Sequence, residues 1–255
     1  MIPTVTLNNG VDMPTLGFGT WNIKGDDAVR SVRGAIDAGY RLIDTAKLYG
    51  NEREVGTAVR ESGVERKELF VTTKLWPTDF FNPQKAFDES LSKLDIGYID
   101  LYLIHWPVPM MPKSIWQTME KIYESKKVRA IGVSNYGPDL IEKTLSYATV
   151  TPAVNQIKFS PFDYEKETLE YCKGKGIVIE AYSPLTRGSS LNDRRVSAIA
   201  QKYRKSAAQI MLRWCVQKGT VPLPKSSNPD RMRENMQVFD FELSEEDMRT
   251  LDSLS

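Results

Sequence analysis

The chain has 255 residues, 41% of them apolar and 26% charged, with a formal net charge of +1. A chain of this size buries a large core without staples, its composition is that of a globular protein, and its near-neutrality gives no global reason to expect a nucleic-acid partner. Cys172 and Cys215 lie far apart with no metal-like spacing, there is no basic-then-apolar leader, and no apolar stretch approaches a membrane span, so free thiols, a cytoplasmic location, no metal and no membrane partner are expected.

Thr4–Leu7 and Val11–Met13 flank Asn8-Asn9-Gly10, and Asn-Gly supplies the positive φ angles of a tight turn, so a short hairpin opens the chain. Eight apolar runs then read as strands: Leu16–Gly19, Tyr40–Ile43, Leu69–Thr73, Ile99–Ile104, Val128–Val133, Ala153–Ile157, Ile177–Tyr182 and Thr220–Leu223. Most are rich in Val, Ile, Leu or Tyr, as strands buried on both faces should be; the first and last are placed partly by analogy. Between them, Ala28, Val29, Val32, Ala35 and Ile36 form one helical stripe, and Ile115, Trp116, Met119, Ile122 and Tyr123 form another. Asn51 followed by Glu54 predicts a capping box. The long interval from Tyr182 to Thr220 holds helices over Arg194–Tyr203 and Ala207–Gln217, the first read as an insertion in the seventh loop. Ser244-Glu245-Glu246-Asp247 opens a last helix with acids at its positive end.

Strand and helix alternate at roughly 25–30-residue steps, which requires parallel strands joined by right-handed crossovers. Eight such units close as an α/β fold, a (β/α)8 TIM barrel in one domain spanning 1–255, with an N-terminal β-hairpin and extra helices after strand seven and at the C-terminus. An open doubly wound sheet competes, but the first strand leads into Gly17-Phe18-Gly19-Thr20-Trp21 with no G-x-G-x-x-G opening a helix.

A barrel of this kind builds its site at the C-terminal strand ends. There the polar residues are Asp44, Lys74 and His105, which is the only histidine, with Tyr49 a few residues beyond Asp44. Tyrosine ionises near pH 10 and is a poor acid at neutrality. A nearby lysine cation favours its phenolate, Asp44 would keep Lys74 charged, and a neutral His105 could orient a substrate oxygen. Donors aimed at a carbonyl oxygen that gains negative charge would stabilise reduction, with Tyr49 delivering the proton. Each residue alone has a plainer role: a satisfied polar group, a structural ion pair, a packing tyrosine. Their placement after successive strands is what singles them out. A second cluster follows the last strand. Lys225 and Ser226 leave it, Asn228 caps a helix with Pro229 at its first position, and Lys225 and Arg231 flank that helix start, as a phosphate would require. The segment Arg187–Arg233 holds eleven Lys/Arg and two acids, Asp193 and Asp230, which points to an anionic ligand or to a solvated basic face.

Asp44-Thr45-Ala46-Lys47-Leu48-Tyr49-Gly50-Asn51-Glu52 closely resembles the D-T-A-x-x-Y-G-N-E signature of aldo-keto reductases. Thr73-Lys74-Leu75-Trp76, Leu103-Ile104-His105-Trp106-Pro107, Gly132-Val133-Ser134-Asn135-Tyr136, Val154-Asn155-Gln156 and Pro224-Lys225-Ser226 are similar to further segments of that family, so the resemblance runs from about Pro14 to Leu254. It implies reduction of aldehydes and ketones by NADPH, with Asp44, Tyr49, Lys74 and His105 as the catalytic tetrad. It implies that Ser134, Asn135 and Gln156 hold the nicotinamide carboxamide, that Tyr182 stacks on its ring, and that Gly19, Thr20, Trp21, Asp44, Ser183, Leu185 and Arg187 line the cofactor. Lys225, Ser226, Ser227, Arg231, Glu234 and Asn235 fall at the adenosine 2′-phosphate end, and Trp21, Tyr49, Trp76, His105 and Trp106 at the substrate. Monomers are the rule implied. The chain departs from relatives at Lys158-Phe159-Ser160 and at Thr186-Arg187, where Arg187 offers an added phosphate contact. Its ending at Ser255, with the short connection Pro107–Lys113, predicts an open pocket for small aldehydes, dicarbonyls and keto-sugars. A non-catalytic cofactor-binding barrel and a carboxylate hydrolase are the rival classes; the intact tetrad disfavours the first, and the lack of paired acids on neighbouring strands the second.

Overall fold

Asn9 Oδ1 accepts from the Val11 amide and Gly10 takes a φ of 83°, so the chain reverses and pairs β1 (Thr4–Thr6) antiparallel with β2 (Asp12–Pro14). This is seen in a computed structural model that describes residues 2–108 and 111–255. The 107–113 connection includes residues 109 and 110, which lie outside the described residues, so the expectation resting on its shortness is only partly within view.

All eight apolar runs are strands: β3 (Gly17–Gly19), β4 (Leu42–Asp44), β5 (Phe70–Leu75), β6 (Ile99–Ile104), β7 (Val128–Ser134), β8 (Val154–Lys158), β9 (Val178–Tyr182) and β10 (Val221–Leu223). Each pairs in parallel with its neighbour in chain order. The Gly19 amide donates to Pro224 O at 3.0 Å across the seam between first and last strand, nearly closing the (β/α)8 barrel. Successive side chains alternate in and out. Leu42, Phe70, Leu101, Val154 and Val221 share a core with Leu7 and Met13 of the hairpin region. The alternate positions Ile43, Val71, Tyr102, Ile131 and Ile179 join the larger core beneath the helices.

The helices are α1 (Gly25–Asp37), α2 (Glu52–Arg60), α3 (Pro83–Leu94), α4 (Lys113–Glu124), α5 (Pro138–Leu145), α6 (Lys166–Gly174), α7 (Arg194–Tyr203), α8 (Ala207–Gln217), α9 (Pro229–Met236) and α10 (Glu245–Asp252). The first expected stripe is buried on α1 except at Val29, and the second on α4 except at Tyr123, each of which is only partly covered. Asn228 caps α9 through the amides of Asp230 and Arg231, and Ser244 caps α10 through that of Asp247.

Two differences from the sequence expectations bear on the site. Strands β4, β5 and β7 run further than their apolar runs and take in Asp44, Lys74 and Ser134. An inward position near a barrel mouth accepts a polar side chain without leaving the ladder, so apolarity ends before the strand does. The capping box at Asn51 does not form. Its side chain turns inward, donating to Thr20 O at 3.0 Å and Ile23 O at 2.8 Å and accepting from Thr45 Oγ1 at 2.6 Å. Three buried partners win over one helix amide, and the result ties the loop after β3 to the loop after β4.

Gly132 in β7 has no room for a side chain. A Cβ there would lie 2.4 Å from Val154 O of β8 and 2.8 Å from Leu103. Gly132→Ala is expected to destabilise the fold by about 1–3 kcal/mol, as overpacking does, measured as the shift in urea midpoint at unchanged m-value.

Candidate active site

Alternation along the strands aims Asp44, Lys74, Gln156, Glu180 and Tyr182 into the mouth of the barrel, and His105, just past β6, joins them. Lys74 is fully buried; its Nζ donates to Asp44 Oδ1 at 2.6 Å, to Thr45 O at 2.9 Å and to Tyr49 Oη at 3.4 Å. Burial alone would lower the lysine pKa, but the Asp44 charge and hydrogen bond outweigh it and hold the group above its usual value. Tyr49 ends a 3-10 turn, Lys47–Tyr49, closed by Gly50 in the left-handed region at φ 67°. Lys47 Nζ fastens that turn to Asp79 at 2.9 Å and to Glu89 of α3 at 3.0 Å.

The phenol differs from expectation in one respect. Lys74 does favour the Tyr49 phenolate, but burial is the larger effect and Asp44 adds to it, so the hydroxyl is held above its ordinary value rather than made acidic. The His105 ring meets Tyr49 edge-on at 5.7 Å and Trp76 at 5.0 Å between centroids. Its Nδ1 is buried without a partner among the described residues. Burial, then the Lys74 charge, lowers its pKa to about 3, so the ring is neutral across the physiological range.

Beside these groups, Ser134 Oγ donates to Gln156 O at 2.6 Å, Asn135 Nδ2 donates to Ser134 Oγ at 3.0 Å, and Tyr182 Oη donates to Asn135 Oδ1 at 3.0 Å. Gln156 Nε2 donates both to Asp44 Oδ1 at 2.9 Å and to Glu180 Oε2 at 2.8 Å. Glu180 has no counterpart among the sequence expectations. It is fully buried, and desolvation and the Asp44 charge push its carboxyl up to about 8 against the pull of Gln156 and Lys74. The available signal was an acid at an inward position of the otherwise uncharged run Val178-Ile179-Glu180-Ala181-Tyr182.

These residues open on a cavity of about 910 Å³, within the range of small-molecule sites. Trp21, Leu48, Tyr49, His105 and Trp106 are among its lining residues. Gly19, Asp44, Ser134, Asn135, Gln156, Tyr182, Ser183, Leu185 and Arg187 line the same cavity, as do Lys225, Ser226, Ser227, Arg231, Glu234 and Asn235. Three expected residues stand behind the wall instead. Thr20 is buried with Oγ1 on Asp44 O at 2.9 Å, Lys74 lies beneath Tyr49, and Trp76 supports the His105 ring. Ser183, Thr186 and Arg187 all take left-handed φ angles of 49° to 54°, a costly backbone for residues with side chains. This brings the Arg187 guanidinium over the Trp21 ring at 4.7 Å.

The basic segment divides into cations paired with acids, cations that line the cavity, and Arg194, Arg204 and Arg213, which do neither among the described residues. Arg195, Lys202, Lys205, Lys218 and Arg233 pair with Asp193, Asp247, Asp240, Asp252 and Asp230. Among the described residues, no carboxylate lies within ion-pair distance of Lys225, Arg231 or Arg187, all three of which line the cavity. Because Asn228 already occupies the Asp230 and Arg231 amides, an anion here would be met mainly by side chains.

A profile described as the Aldo/keto reductase family matches residues 15–255. The chain is 48% identical to the glyoxal reductase of Bacillus subtilis (strain 168), over 99% of this chain and 92% of that protein. A crystal structure of an aldo/keto reductase from Brucella melitensis superposes with a TM-score of 0.95 at 43% identity, covering 100% of both chains. A Bombyx mori aldo-keto reductase solved in complex with NADP gives 0.93 at 36% identity, over 100% of this chain and 93% of the other.

The buried neutral histidine makes a prediction about stability. Between its ordinary value of 6.5 and about 3, the unfolded chain binds a proton at His105 that the folded chain refuses. Stability therefore falls as pH drops through that window, by about 1.4 kcal/mol per unit from this residue. His105→Gln should lose less stability than the wild type between about pH 7 and about pH 4.5 in urea titrations; equal losses would remove His105 as a source of acid sensitivity.

Proposed function

Since the chain belongs to the aldo/keto reductase family, we propose that it reduces aldehydes and ketones to alcohols with NADPH, Tyr49 delivering the proton. The observation that carries this reading is the continuity of one cavity from the Tyr49–Lys74–Asp44–His105 cluster to the unpaired cations Lys225 and Arg231. The cofactor, when bound, supplies the hydride.

The residues present fit such a group. Lys225, Ser226 and Arg231 suit the extra phosphate that separates NADPH from NADH, because cations held without an acid partner have charge to spare for an anion. Ser227, Glu234, Asn235 and Arg187 line the same cavity, and Ser134, Asn135 and Gln156 present amide and hydroxyl groups suited to a carboxamide. The Tyr182 ring beside them is partly exposed, as a stacking surface must be.

The chemistry follows from how Tyr49 is held. Its oxygen accepts from Lys74, which leaves its own proton free to point at a carbonyl oxygen. Burial keeps the phenol protonated and so ready to donate. Lys74, anchored by Asp44, then stabilises the phenolate left behind. Neutral His105 positions the substrate oxygen without adding a competing charge. Trp21, Leu48 and Trp106 are each about half exposed at the rim, with 48% of their surface accessible. Such an apolar, open rim suits small neutral aldehydes, dicarbonyls and keto-sugars, and the glyoxal reductase of Bacillus subtilis supports the dicarbonyl choice.

Two measurements test the reading. Tyr49→Phe should keep NADPH affinity and lose about 10²–10⁴-fold in kcat with an aromatic aldehyde or a dicarbonyl; turnover at the native rate would refute the proton-donor role. Lys225→Ala or Arg231→Ala should weaken NADPH by about 10- to 100-fold and NADH far less, read as cofactor Kd by fluorescence quenching. Equal losses for both cofactors would argue against a 2′-phosphate clamp.

A further inference from the structure

Glu180 faces into the barrel from β9, registered against Gln156 of β8 on one side and Val221 of β10 on the other. It has no exposed surface. One amide nitrogen, Gln156 Nε2, donates to Glu180 Oε2 at 2.8 Å and to Asp44 Oδ1 at 2.9 Å, so both of its hydrogens are committed to carboxyl oxygens. Glu180 Oε1 has no partner among the described residues. The charged groups facing it are Asp44 from β4 and Lys74 from β5; β8 contributes the neutral Gln156 and β10 the apolar Val221. Lys74 already serves Asp44, Thr45 and Tyr49. The site thus holds two carboxyl groups and one ammonium, and ionising both acids would leave a buried anion with the Gln156 amide but no cation of its own.

We infer that Glu180 is a neutral carboxylic acid at neutral pH and a positioning residue for the site, fixing the Gln156 amide and, on losing its proton to solvent, weakening the enzyme on the alkaline side. An uncharged carboxyl tolerates an unpartnered oxygen far better than a carboxylate does. Its acceptor oxygen, together with Asp44 Oδ1, holds the amide nitrogen of Gln156 toward the two carboxyl groups. Burial and the Asp44 charge place its ionisation at about 8, close enough to neutrality to matter in use. The sign follows from charge. A second carboxylate near Lys74 offsets the cation that stabilises the Tyr49 phenolate, so the phenol gives up its proton less readily above that pH. The effect on turnover rests on the reductase reading; the protonation state does not.

Infrared spectra of the intact protein at stepped pH read the proton directly. A buried carboxylic-acid carbonyl band should be present at about pH 6, fade with a midpoint near 8, and be missing in Glu180→Gln. Its absence from the wild type would overturn the inference, and this arm stands even if the variant fails to fold. In turnover, wild-type kcat should fall by about three- to tenfold between about pH 7 and about pH 9, while the same ratio within Glu180→Gln stays within about twofold. Equal ratios in the two proteins would overturn the alkaline role. Glu180→Ala should raise the cofactor Kd by about tenfold through loss of the Gln156 anchor, and Glu180→Gln, which keeps an acceptor, should restore it; failure of that rescue would overturn the positioning role. If the wild type oxidises no NADPH with any carbonyl, the reductase reading fails while the infrared titration still decides the state of Glu180.

Discussion

The contact between Lys74 Nζ and Asp44 Oδ1, at 2.6 Å inside the barrel mouth, is the constraint on which the site depends. It joins adjacent strands β4 and β5, with the Lys74 ammonium fully buried and Asp44 at the cavity wall. A buried ion pair of this kind adds little stability over an apolar pair of similar size, whereas removing one partner costs about 3–5 kcal/mol. Its value lies in what it holds. With Asp44 beside it the ammonium stays charged in a place where burial would neutralise it, and that fixed cation sits 3.4 Å from the Tyr49 oxygen.

The same low-dielectric surroundings act differently on each neighbour. They raise the Tyr49 phenol and keep its proton on. They strip His105 of the ability to protonate at neutral pH. They push Glu180 toward its neutral form, and Gln156 bridges it to Asp44. The signs differ because burial always opposes charge, and only Lys74 has an opposite charge close enough to overcome it. A phenol held protonated next to a fixed cation is better suited to donating a proton than to abstracting one.

Away from this cluster the cavity is shaped by paired and unpaired charge. Five cations of the basic stretch are matched by acids, three of them, Asp240, Asp247 and Asp252, in the C-terminal segment. Lys225, Arg231 and Arg187 line the cavity instead. The left-handed backbone of Ser183, Thr186 and Arg187 carries one of those cations onto the Trp21 ring, which links the loop after β9 to the loop after β3 across the opening.

Much of this was legible in the residue order. Alternating apolar runs and helical stripes gave the eight strands and their parallel order, because burial on both faces of a strand and on one face of a helix leaves a direct mark on composition. The polar residues Asp44, Lys74 and His105 stood out because they ended such runs, and the resemblance of the segments around them supplied a family. The tertiary structure alone decided the energetics. Whether Lys74 or burial governs the Tyr49 phenol depends on how much water surrounds it, which no spacing encodes. Asn51 was expected to cap a helix from its position, yet it serves three partners brought near by the fold. Glu180 was one acid among many until closure of the barrel set it against Gln156, itself bonded to Asp44. Local sequence determines which backbone forms and which side chains point inward; the distances between side chains on different strands, and therefore their charges, exist only once the barrel has closed.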